Sequence, residues 1–447
     1  MYFRAALRPV RARVHRFYEQ TFGTQLFSYL PTALANASLA PADLERLQVL
    51  KLRSLLEVAW ERSPFYRERM SQVGIRVEEV RTTTDIARLP PVTKSELRAA
   101  LADGRLLTQP KDGLPKGQTG GSTGQPLVFY HYPPGRAFAR ACELRAFMQW
   151  GWRLGDSIVT VWGAHMNVPS TLSMIRRFRN SILGQPFLEA DRLSNANARL
   201  YLRTIDRMQP GILLGYVTSL VQLARLGRSE NIHVRAPRAV ATTAEMLFSH
   251  ERKLLSDYFE TEVLDIYGSS EVESLAFECP THAGLHVAAD HVLLEIAEDG
   301  RVLVTDLDNY AMPFIRYENG DMAKWKKEPC PCGRAFPLLA SVLGRRSDII
   351  RGPNGNRVHG EFFTHLLEDL GWIERYGIIQ FQVIQEQLGL LVVRLVTTRR
   401  PNSTEEMSFT RIVHSFLGAM EVLFEYPDTI PASDAGKRRF TLSRLES

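Results

Sequence analysis

The chain has few cysteines and no long apolar run. Four cysteines occur among its 447 residues, too few for a disulfide scaffold, so we expect a reducing, cytoplasmic environment. A membrane-spanning helix needs about 18 consecutive apolar residues, and even the apolar segment 378–396 is interrupted by Gln, Glu and Arg. The N-terminal segment also lacks the apolar core of a signal peptide. We therefore expect no transmembrane segment.

Charged residues of one sign do not cluster in a long stretch of the sequence. The formal net charge is +6, which slightly favours anionic small-molecule ligands. No long Lys/Arg run alternates with aromatic residues, so we expect no nucleic-acid partner. Five arginines within residues 4–16 have the spacing of a basic amphipathic helix. Because Pro9 interrupts that pattern, we favour a helix packed on its own domain over a helix on a membrane surface.

The composition is that of a globular protein with more than one domain. Hydrophobic residues make up 45% and charged residues 23% of the chain, which is ordinary for folded domains. A single core rarely serves a chain of this length, so we expect about two to three domains.

Short β-branched runs alternate with helical stretches in the middle of the chain. We predict strands at 157–162, 212–216, 239–243 and 262–267, with helices at 194–208, 218–226 and 250–259. Strands separated by helices of this length indicate βαβ units and a mostly parallel sheet. Because ligands bind at the carboxyl ends of such strands, the loops that follow these four strands are expected to converge on one site.

The remaining sequence patterns indicate where the chain divides into domains. Asp299-Gly300 is a hairpin turn signal between the strands 291–297 and 301–306. After residue 347 the sequence predicts a short strand, a Gly/Asn turn, a helix near 362–370 and a strand at 388–397. We therefore predict an α/β fold with a large N-terminal domain at 1–346 and a small α+β C-terminal domain at 347–447. Within the large domain we expect parallel-sheet subdomains, a helical extension at 1–45 and a β-rich subregion at 275–340.

A loop rich in Gly, Ser and Thr lies at residues 117–126 and reads Gly-Gln-Thr-Gly-Gly-Ser-Thr-Gly-Gln-Pro. Its glycines allow close approach of a ligand, and its hydroxyl and amide donors suit a polyanion such as a nucleotide triphosphate. It is not a Walker A motif, because Gln125 and Pro126, rather than Lys and Ser or Thr, follow its last glycine. Taken alone, such a run is more often an ordinary surface turn.

Four later segments carry residue types that a nucleotide site needs. Residues 265–271 place a tyrosine, a tight turn, a hydroxyl and a carboxylate at the end of a predicted strand. Residues 313–321 end in an aspartate after a Gly turn, residues 344–348 add arginine and a flexible joint, and residues 435–439 add a lysine. Each also has an ordinary explanation: a helix N-terminal charge for Glu271, a turn residue for Asp321 and a solvated side chain for Lys437.

Together with the Gly-rich loop, these motifs follow the order and approximate spacing of the adenylate-forming superfamily, which includes acyl-CoA synthetases, luciferases and the adenylation domains of peptide synthetases. From about residue 47 to residue 440 the chain resembles this superfamily. Within it, the chain is most similar to the branch of phenylacetate-CoA ligase and the capsule-biosynthesis CapK-type proteins. The resemblance implies a large adenylate-forming domain with a small mobile lid, and it implies ATP, Mg²⁺ and coenzyme A as reactants and cofactors.

Carried over to this sequence, the resemblance implies a nucleotide site. The loop residues that would wrap the β- and γ-phosphates of ATP are Thr119, Gly120, Gly121, Ser122, Thr123 and Gly124. Those that would frame the adenine or form the adjacent turn are Ala244, Glu245, Tyr267 and Gly268. Asp321 would accept hydrogen bonds from the ribose hydroxyls, and Arg345 would sit against ribose or phosphate.

The same resemblance implies three catalytic roles. Ser270 would contact the α-phosphate, Glu271 would help to hold Mg²⁺, and Lys437 would meet the α-phosphate and the substrate carboxylate. The chemistry independently favours these residue types, because a carboxylate attacking the α-phosphorus brings two anions together and needs cations facing the phosphate oxygens. A carboxylate such as Glu271 is also the ligand that a hard cation prefers.

Two positions depart from the family pattern. The C-terminal domain of the family rotates about the fourth residue of the Gly-Arg-x-x-Asp segment, which is Ser347 here instead of Asp or Lys. A small polar residue still permits a hinge. Leu127 occupies a position where many relatives have Lys, although the phenylacetate-ligase branch is looser there.

Three of the four cysteines lie near two histidines in the β-rich subregion. The candidate ligands Cys279, His286, Cys330 and Cys332 flank the predicted hairpin, whose closure would bring them together. Thiolate and imidazole ligands in a set of four describe structural Zn²⁺. The single-residue Cys330-x-Cys332 spacing is tighter than the usual knuckle, and three buried free cysteines are the alternative. We favour zinc, with His286 preferred to His282.

The sequence thus predicts an ATP-dependent carboxylate-activating ligase that forms an acyl-AMP and then an acyl thioester with coenzyme A. The acid is expected to be a small molecule that is aromatic or similarly compact. One alternative loads a carrier protein or an amine acceptor in capsule or natural-product biosynthesis. Another, from a different class, is a non-catalytic zinc-containing nucleotide-binding protein. The sequence does not determine the oligomeric state, and a homo-oligomer is one of the alternatives.

Overall fold

The structure is a computed structural model and describes residues 2–22, 25–119, 126–163, 180, 183–190, 193, 195–345, 349–431 and 440–445. The chain forms two compact units. The N-terminal unit comprises Met1–Asn319 and Ala323–Val342, and the C-terminal unit comprises Gly320–Met322 and Leu343–Ser447. The main division along the chain therefore falls between Val342 and Leu343.

The described helices of the N-terminal unit bury apolar stripes. Helix α3 illustrates the cause, since Leu52, Leu55, Leu56 and Ala59 recur at helical spacing and are fully buried. The α-helices are α1 (Tyr2–Phe22), α2 (Leu26–Asn36), α3 (Pro41–Arg62), α4 (Pro64–Gln72), α5 (Lys94–Ala102), α6 (Pro133–Gln149), α7 (Asn195–Met208), α8 (Val217–Ser229) and α9 (Ser249–Phe259), and short 3₁₀ helices span Val77–Glu79 and Thr83–Arg88.

The arginine-rich first helix packs on its own unit, as we expected. His15 is buried, and its Nε2 lies 3.0 Å from the carbonyl oxygen of Leu183. The buried carboxylate of Glu19 accepts a hydrogen bond of 2.7 Å from the backbone N–H of Phe27. Within the described ranges, none of the helices combines the length and apolar character that crossing a bilayer requires.

Strands β3 to β13 form one large sheet, and β1 (Lys116–Gln118) pairs with β2 (Val128–Tyr130) in a separate hairpin. The order in the large sheet is β10-β11-β12-β13-β9-β8-β7-β6-β5-β3-β4. Its strands are β3 (Ile158–Trp162), β4 (Phe187–Glu189), β5 (Ile212–Tyr216), β6 (Ala239–Thr243), β7 (Val263–Ser269), β8 (Glu273–Glu278), β9 (Leu285–Val287), β10 (Val292–Ile296), β11 (Arg301–Asp306), β12 (Tyr317–Trp325) and β13 (Leu338–Arg345).

Half of this sheet is parallel. Strands β4, β3, β5, β6 and β7 pair in parallel with their neighbours. Every residue of β5 and β6 is buried, which is the pattern of strands covered on both faces. The predicted α/β fold with a mostly parallel sheet is confirmed for this half.

The other half is antiparallel and includes the predicted hairpin. Strands β10 and β11 pair with Val292 opposite Asp306 and Ile296 opposite Val302. Gly300 adopts a φ of 89° in the turn, a conformation that glycine takes without strain. The Asp-Gly signal therefore located this hairpin correctly.

The C-terminal unit has its own core and its own sheet. The sheet order is β18-β17-β16-β19, beside the hairpin β14–β15. The elements are β14 (Ile349–Arg351), β15 (Arg357–His359), α10 (Glu361–Asp369), α11 (Trp372–Arg375), β16 (Ile378–Gln387), β17 (Leu390–Thr397), α12 (Ser403–Leu417), β18 (Glu421–Glu425) and β19 (Thr441–Ser443). Phe363, Phe409 and Leu391 are fully buried in its core.

Candidate active site and metal centre

The carboxyl ends of four neighbouring parallel strands meet at one edge of the large sheet. Tyr216 at the end of β5 is opposite Thr243 at the end of β6, and Thr243 is opposite Ile266 in β7. Trp162 at the end of β3 packs its ring 4.5 Å from the ring of Tyr216. The structure thus brings these strand ends together, as the alternating sequence pattern predicted.

The loop after β6 is held against the start of α8. Ala244 has a φ of 68°, an uncommon conformation for a residue with a side chain. The carboxylate of Glu245 accepts a hydrogen bond of 2.8 Å from the backbone N–H of Thr218 and further bonds from the Thr218 hydroxyl. Glu245 therefore satisfies a donor at the N-terminus of α8, a role the sequence interpretation did not include.

A tight turn joins β7 to β8. Ser269 pairs with Glu273 across it, and the Ser269 hydroxyl oxygen accepts a hydrogen bond of 3.1 Å from the backbone N–H of Val272. A Cβ atom on Gly268 would lie 2.5 Å from the carbonyl oxygen of Glu273, so the turn requires glycine there. Ser270 is exposed at the tip, whereas Glu271 is buried.

Glu271 has one hydrogen-bond partner among the described residues. Only 7% of Glu271 is exposed, and its Oε1 accepts a hydrogen bond of 3.0 Å from the hydroxyl of Tyr317. No cation within the described parts of the chain forms an ion pair with it. A buried carboxylate is costly without a positive partner, and a carboxylate oxygen is a ligand that Mg²⁺ prefers. Glu271 therefore fits a Mg²⁺ site.

His291 supports the same turn from behind. Its Nε2 lies 3.2 Å from the carbonyl oxygen of Val272, and its Nδ1 lies 2.9 Å from the carboxylate of Asp308. Because both partners are acceptors, the ring serves both only when both nitrogens carry protons. Burial would lower the pKa of His291, but the charge of Asp306 and the hydrogen bond with Asp308 outweigh it and raise that pKa to about 9.

The buried ring of Tyr267 is tied to the segment 313–319. Its hydroxyl oxygen accepts a hydrogen bond of 2.8 Å from the side-chain amide of Asn319. Asp321, two residues further along β12, is half-buried. Arg345 ends β13, and its side chain lies outside the described part of the structure. Asn319 is thus linked to β7 and Tyr317 to the turn that follows it, although the sequence interpretation selected Asp321 alone from residues 313–321.

Thr119 closes the hairpin that flanks the Gly-rich loop. Its hydroxyl oxygen accepts a hydrogen bond of 2.9 Å from the backbone N–H of Leu127, and its own N–H donates to the Leu127 carbonyl. Leu127 is fully buried in the apolar core, which explains an apolar residue at that position. The expected site residues that lie outside the described residues are Gly120, Gly121, Ser122, Thr123, Gly124, Ser347 and Lys437.

The four predicted zinc ligands come together. The ligand atoms of Cys279, His286, Cys330 and Cys332 all lie within 4.8 Å of one another. The two sulfurs of Cys279 and Cys330 are 3.6 Å apart, and the Cys332 sulfur lies 3.2 Å from His286 Nε2. A compact set of three thiols and one imidazole has the composition of a structural zinc site.

Neighbouring groups form hydrogen bonds with the side chains of this cluster. His286 Nδ1 lies 3.2 Å from the carbonyl oxygen of Phe336, which fixes the proton on Nδ1 and leaves Nε2 as a ligand atom. Burial lowers the pKa of His286, which favours the neutral ring. The Thr281 hydroxyl lies 3.1 Å from the sulfurs of both Cys279 and Cys330, a contact the sequence did not reveal.

The chain is similar in sequence to several known proteins. Residues 350–444 match the family model of the CapK C-terminal domain. Protein CapK of Staphylococcus aureus is 24% identical over 90% of this chain and 90% of its own. Phenylacetate-coenzyme A ligase of Thermus thermophilus is 26% identical over 70% of this chain and 73% of its own.

The fold is also that of a solved ligase. The crystal structure of 2-hydroxyisobutyryl-CoA ligase in the postadenylation state, in complex with R3-HIB-AMP, superposes with a TM-score of 0.72 at 19% identity, covering 91% of each chain. The sequence relatives and this shared fold agree with the ordered motifs. The chain is therefore similar in sequence to protein CapK and to phenylacetate-coenzyme A ligases over most of its length, and its residues 350–444 match the CapK C-terminal domain.

Proposed function

We propose that the protein is an ATP- and Mg²⁺-dependent carboxylate-activating ligase that forms an acyl-AMP and then an acyl-CoA. The observation that carries the proposal is the buried carboxylate of Glu271, presented on a tight turn at the carboxyl edge of the parallel strands. Relatives named as phenylacetate-coenzyme A ligases support the same reaction class.

The proposed reaction has two steps, adenylation of the acid and formation of the thioester. A carboxylate oxygen of the acid attacks the α-phosphorus of ATP, and pyrophosphate leaves with the electron pair of the broken P–O bond. The sulfur of coenzyme A then attacks the acyl carbon, loses its proton to solvent, and AMP leaves. Mg²⁺ held by Glu271 would offset the negative charge that spreads over the phosphate oxygens.

The remaining residues bind and orient the nucleotide in this proposal. Ala244 and Tyr267 would border the adenine, Asp321 would accept from the ribose hydroxyls, and Ser270 at the exposed tip would donate to the α-phosphate. The Gly-rich loop from Thr119 to Gly124, together with Arg345 and Lys437, would contact phosphates. The supporting features are the strand-end position of Tyr267 and the tight turn that Gly268 permits.

The acid is proposed to be aromatic or similarly compact. The Trp162 and Tyr216 rings lie side by side at the ends of β3 and β5, where ligands of parallel sheets bind. Aromatic surfaces suit an apolar acyl group. The test is ATP–pyrophosphate exchange with a panel of aromatic and short aliphatic acids. Exchange that requires one of the aromatic acids supports the proposal, whereas ATP binding without acid-dependent exchange favours the non-catalytic nucleotide-binding alternative.

The alternative acceptor to coenzyme A is a carrier-protein thiol or an amine. Residues 350–444 match the CapK C-terminal domain, and that match does not name an acceptor. Chromatography of the full reaction separates the two, because only the coenzyme A route converts acyl-AMP and free coenzyme A to acyl-CoA.

We further propose structural Zn²⁺ bound by Cys279, His286, Cys330 and Cys332. The four ligand atoms lie close enough for one ion. They come from the loop after β8, from β9 and from the segment before β13. An ion there would tie together three segments of the antiparallel half of the sheet, beside the small apolar cluster of Cys279, Cys330 and Leu338.

A further inference from the structure

The hydroxyl of Tyr317 donates a hydrogen bond to the carboxylate of Glu271. The two residues are 46 positions apart in sequence, and both are buried. We propose that Tyr317 is a positioning residue that holds the Glu271 carboxylate in the orientation required for Mg²⁺. This inference rests on the proposed function, because it concerns the metal that would accompany ATP.

Tyr317 is itself held rigidly. Its backbone is clamped by Val92, whose N–H donates to the Arg316 carbonyl and whose carbonyl accepts from the Glu318 N–H, both at 2.9 Å. Its ring is 1% exposed and packs 5.2 Å from the ring of Phe314. The hydroxyl is therefore presented from a fixed point at the start of β12.

The hydrogen bond selects one carboxylate oxygen. Tyr317 donates to Oε1, and no described residue donates to Oε2. A phenol has a single proton to donate, and an ionised carboxylate has about four lone-pair sites, so this bond leaves Glu271 with acceptor sites that a cation could use. The bond also restricts the rotation of the glutamate side chain.

Partners that orient a metal ligand have a measurable effect on metal binding. Ligating carboxylates are commonly hydrogen-bonded, and removal of such a partner typically costs about 10- to 100-fold in metal affinity. A tyrosine that served only for packing would be replaced by phenylalanine with no effect on the metal. The Tyr317→Phe variant removes the hydroxyl alone and so separates these two roles.

The chain offers a matched control in Tyr66. Tyr66 is also 1% exposed and belongs to the same apolar core as Tyr317. Its hydroxyl donates to the carbonyl of Pro313 at 2.9 Å and accepts from the N–H of Ile315. Tyr66→Phe therefore loses comparable buried hydrogen bonds without touching Glu271.

The experiment measures the Mg²⁺ dependence of ATP binding by calorimetry on the full chain, in wild type and in both variants. Thermal midpoints are recorded alongside. We expect the MgCl₂ concentration for half-maximal enhancement of ATP binding to rise about 10- to 100-fold in Tyr317→Phe. ATP binding without Mg²⁺ is expected to be unchanged, and Tyr66→Phe is expected to match the wild type at every Mg²⁺ concentration.

A double variant adds an independent measurement. If Tyr317 acts through Glu271, then Tyr317→Phe has no further effect on Mg²⁺ dependence once Glu271→Gln is present. An unchanged Mg²⁺ requirement in Tyr317→Phe, or an equal shift in Tyr66→Phe, overturns the inference. Wild-type chain that shows neither Mg²⁺-dependent ATP binding nor acid-dependent pyrophosphate exchange overturns the proposed function and the inference with it. Normal wild-type behaviour with an unaffected Tyr317→Phe variant overturns the inference alone.

Discussion

The Nε2 atom of His291 lies 3.2 Å from the carbonyl oxygen of Val272, the residue that follows Glu271. The other ring nitrogen faces Asp308, whose carboxylate also binds Lys51 at 2.8 Å. Around the ring, Asp306 and Asp308 favour the charged form, whereas burial and Lys51 oppose it. The raised pKa of His291 favours the protonated ring, which can donate both to the Val272 carbonyl of the turn and to Asp308.

The first prediction concerns pH. The raised pKa of His291, about 9, means that its stabilising contribution is complete below the ordinary value of about 6.5 and is lost as the pH rises through about 9. We expect the thermal midpoint of the wild type to fall between pH 7 and pH 9.5 by more than that of His291→Gln. The contribution at pH 7 is on the order of 2–3 kcal/mol. Calorimetric scans of both proteins at the two pH values measure it, and parallel pH dependences would contradict it.

Local sequence patterns predicted the parallel half of the sheet well. Strands β5 and β6 begin and end where the β-branched runs do, because period and length are local properties. The pairing of β13 with β9 joins segments about fifty residues apart, and no local pattern encodes it. Helix α12 was missed although its signal is present: the Asn402 side chain accepts from the N–H groups of Thr404 and Glu405, and Glu405 reaches back to the Asn402 N–H.

The site residues also divide into those that local sequence patterns indicate and those that depend on long-range contacts. Glu271 and the four proposed zinc ligands could be selected from the sequence as candidates because their residue types and motifs carry the signal. Tyr317 could not, since its role depends on a contact with a carboxylate 46 positions away. Thr281 and Asn319 were missed for the same reason, as each acts through a partner that only the fold brings close.

The second prediction tests the turn after β7. In Gly268→Ala the new Cβ would meet the Glu273 carbonyl oxygen at 2.5 Å, so the turn must shift and carry Glu271 with it. We expect the adenylation rate to fall about 100-fold, the effect typical of a misplacement of about 1 Å. The measurement is acid-dependent pyrophosphate exchange.

Gly104→Ala is the matched control for this variant. Gly104 has a φ of 70°, and a Cβ there meets nothing within 4 Å, so the substitution strains the backbone without a clash. We expect it to lower the thermal midpoint slightly and to leave exchange unaffected. Equal loss of exchange in both variants would indicate a general effect of replacing glycine.

The third prediction concerns the metal centre. Protein purified without chelator is expected to contain about one zinc per chain, since the four proposed ligand atoms lie within 4.8 Å of one another. Cys330→Ser should lose the metal and lower the thermal midpoint, whereas Cys142→Ser should retain it. Cys142 is a buried cysteine on α6, outside the cluster, and burial raises its pKa. Elemental analysis measures the zinc content of the wild type and of the Cys330→Ser and Cys142→Ser variants. A wild type that folds normally without metal would contradict the zinc proposal.

The last prediction concerns Lys437, which belongs to the segment Ala435-Gly-Lys-Arg-Arg439. If its ammonium group stabilises the charge that develops at the α-phosphate, Lys437→Ala should reduce adenylation by about 10²- to 10³-fold, the usual cost of removing one such donor. ATP binding measured by calorimetry should stay within a few-fold of wild type, because the other proposed phosphate contacts remain. Arg438→Ala removes the neighbouring positive charge and serves as the control, with near-normal exchange expected. Adenylation at a normal rate in Lys437→Ala would exclude this lysine from the reaction and shift the search to the Arg345 position.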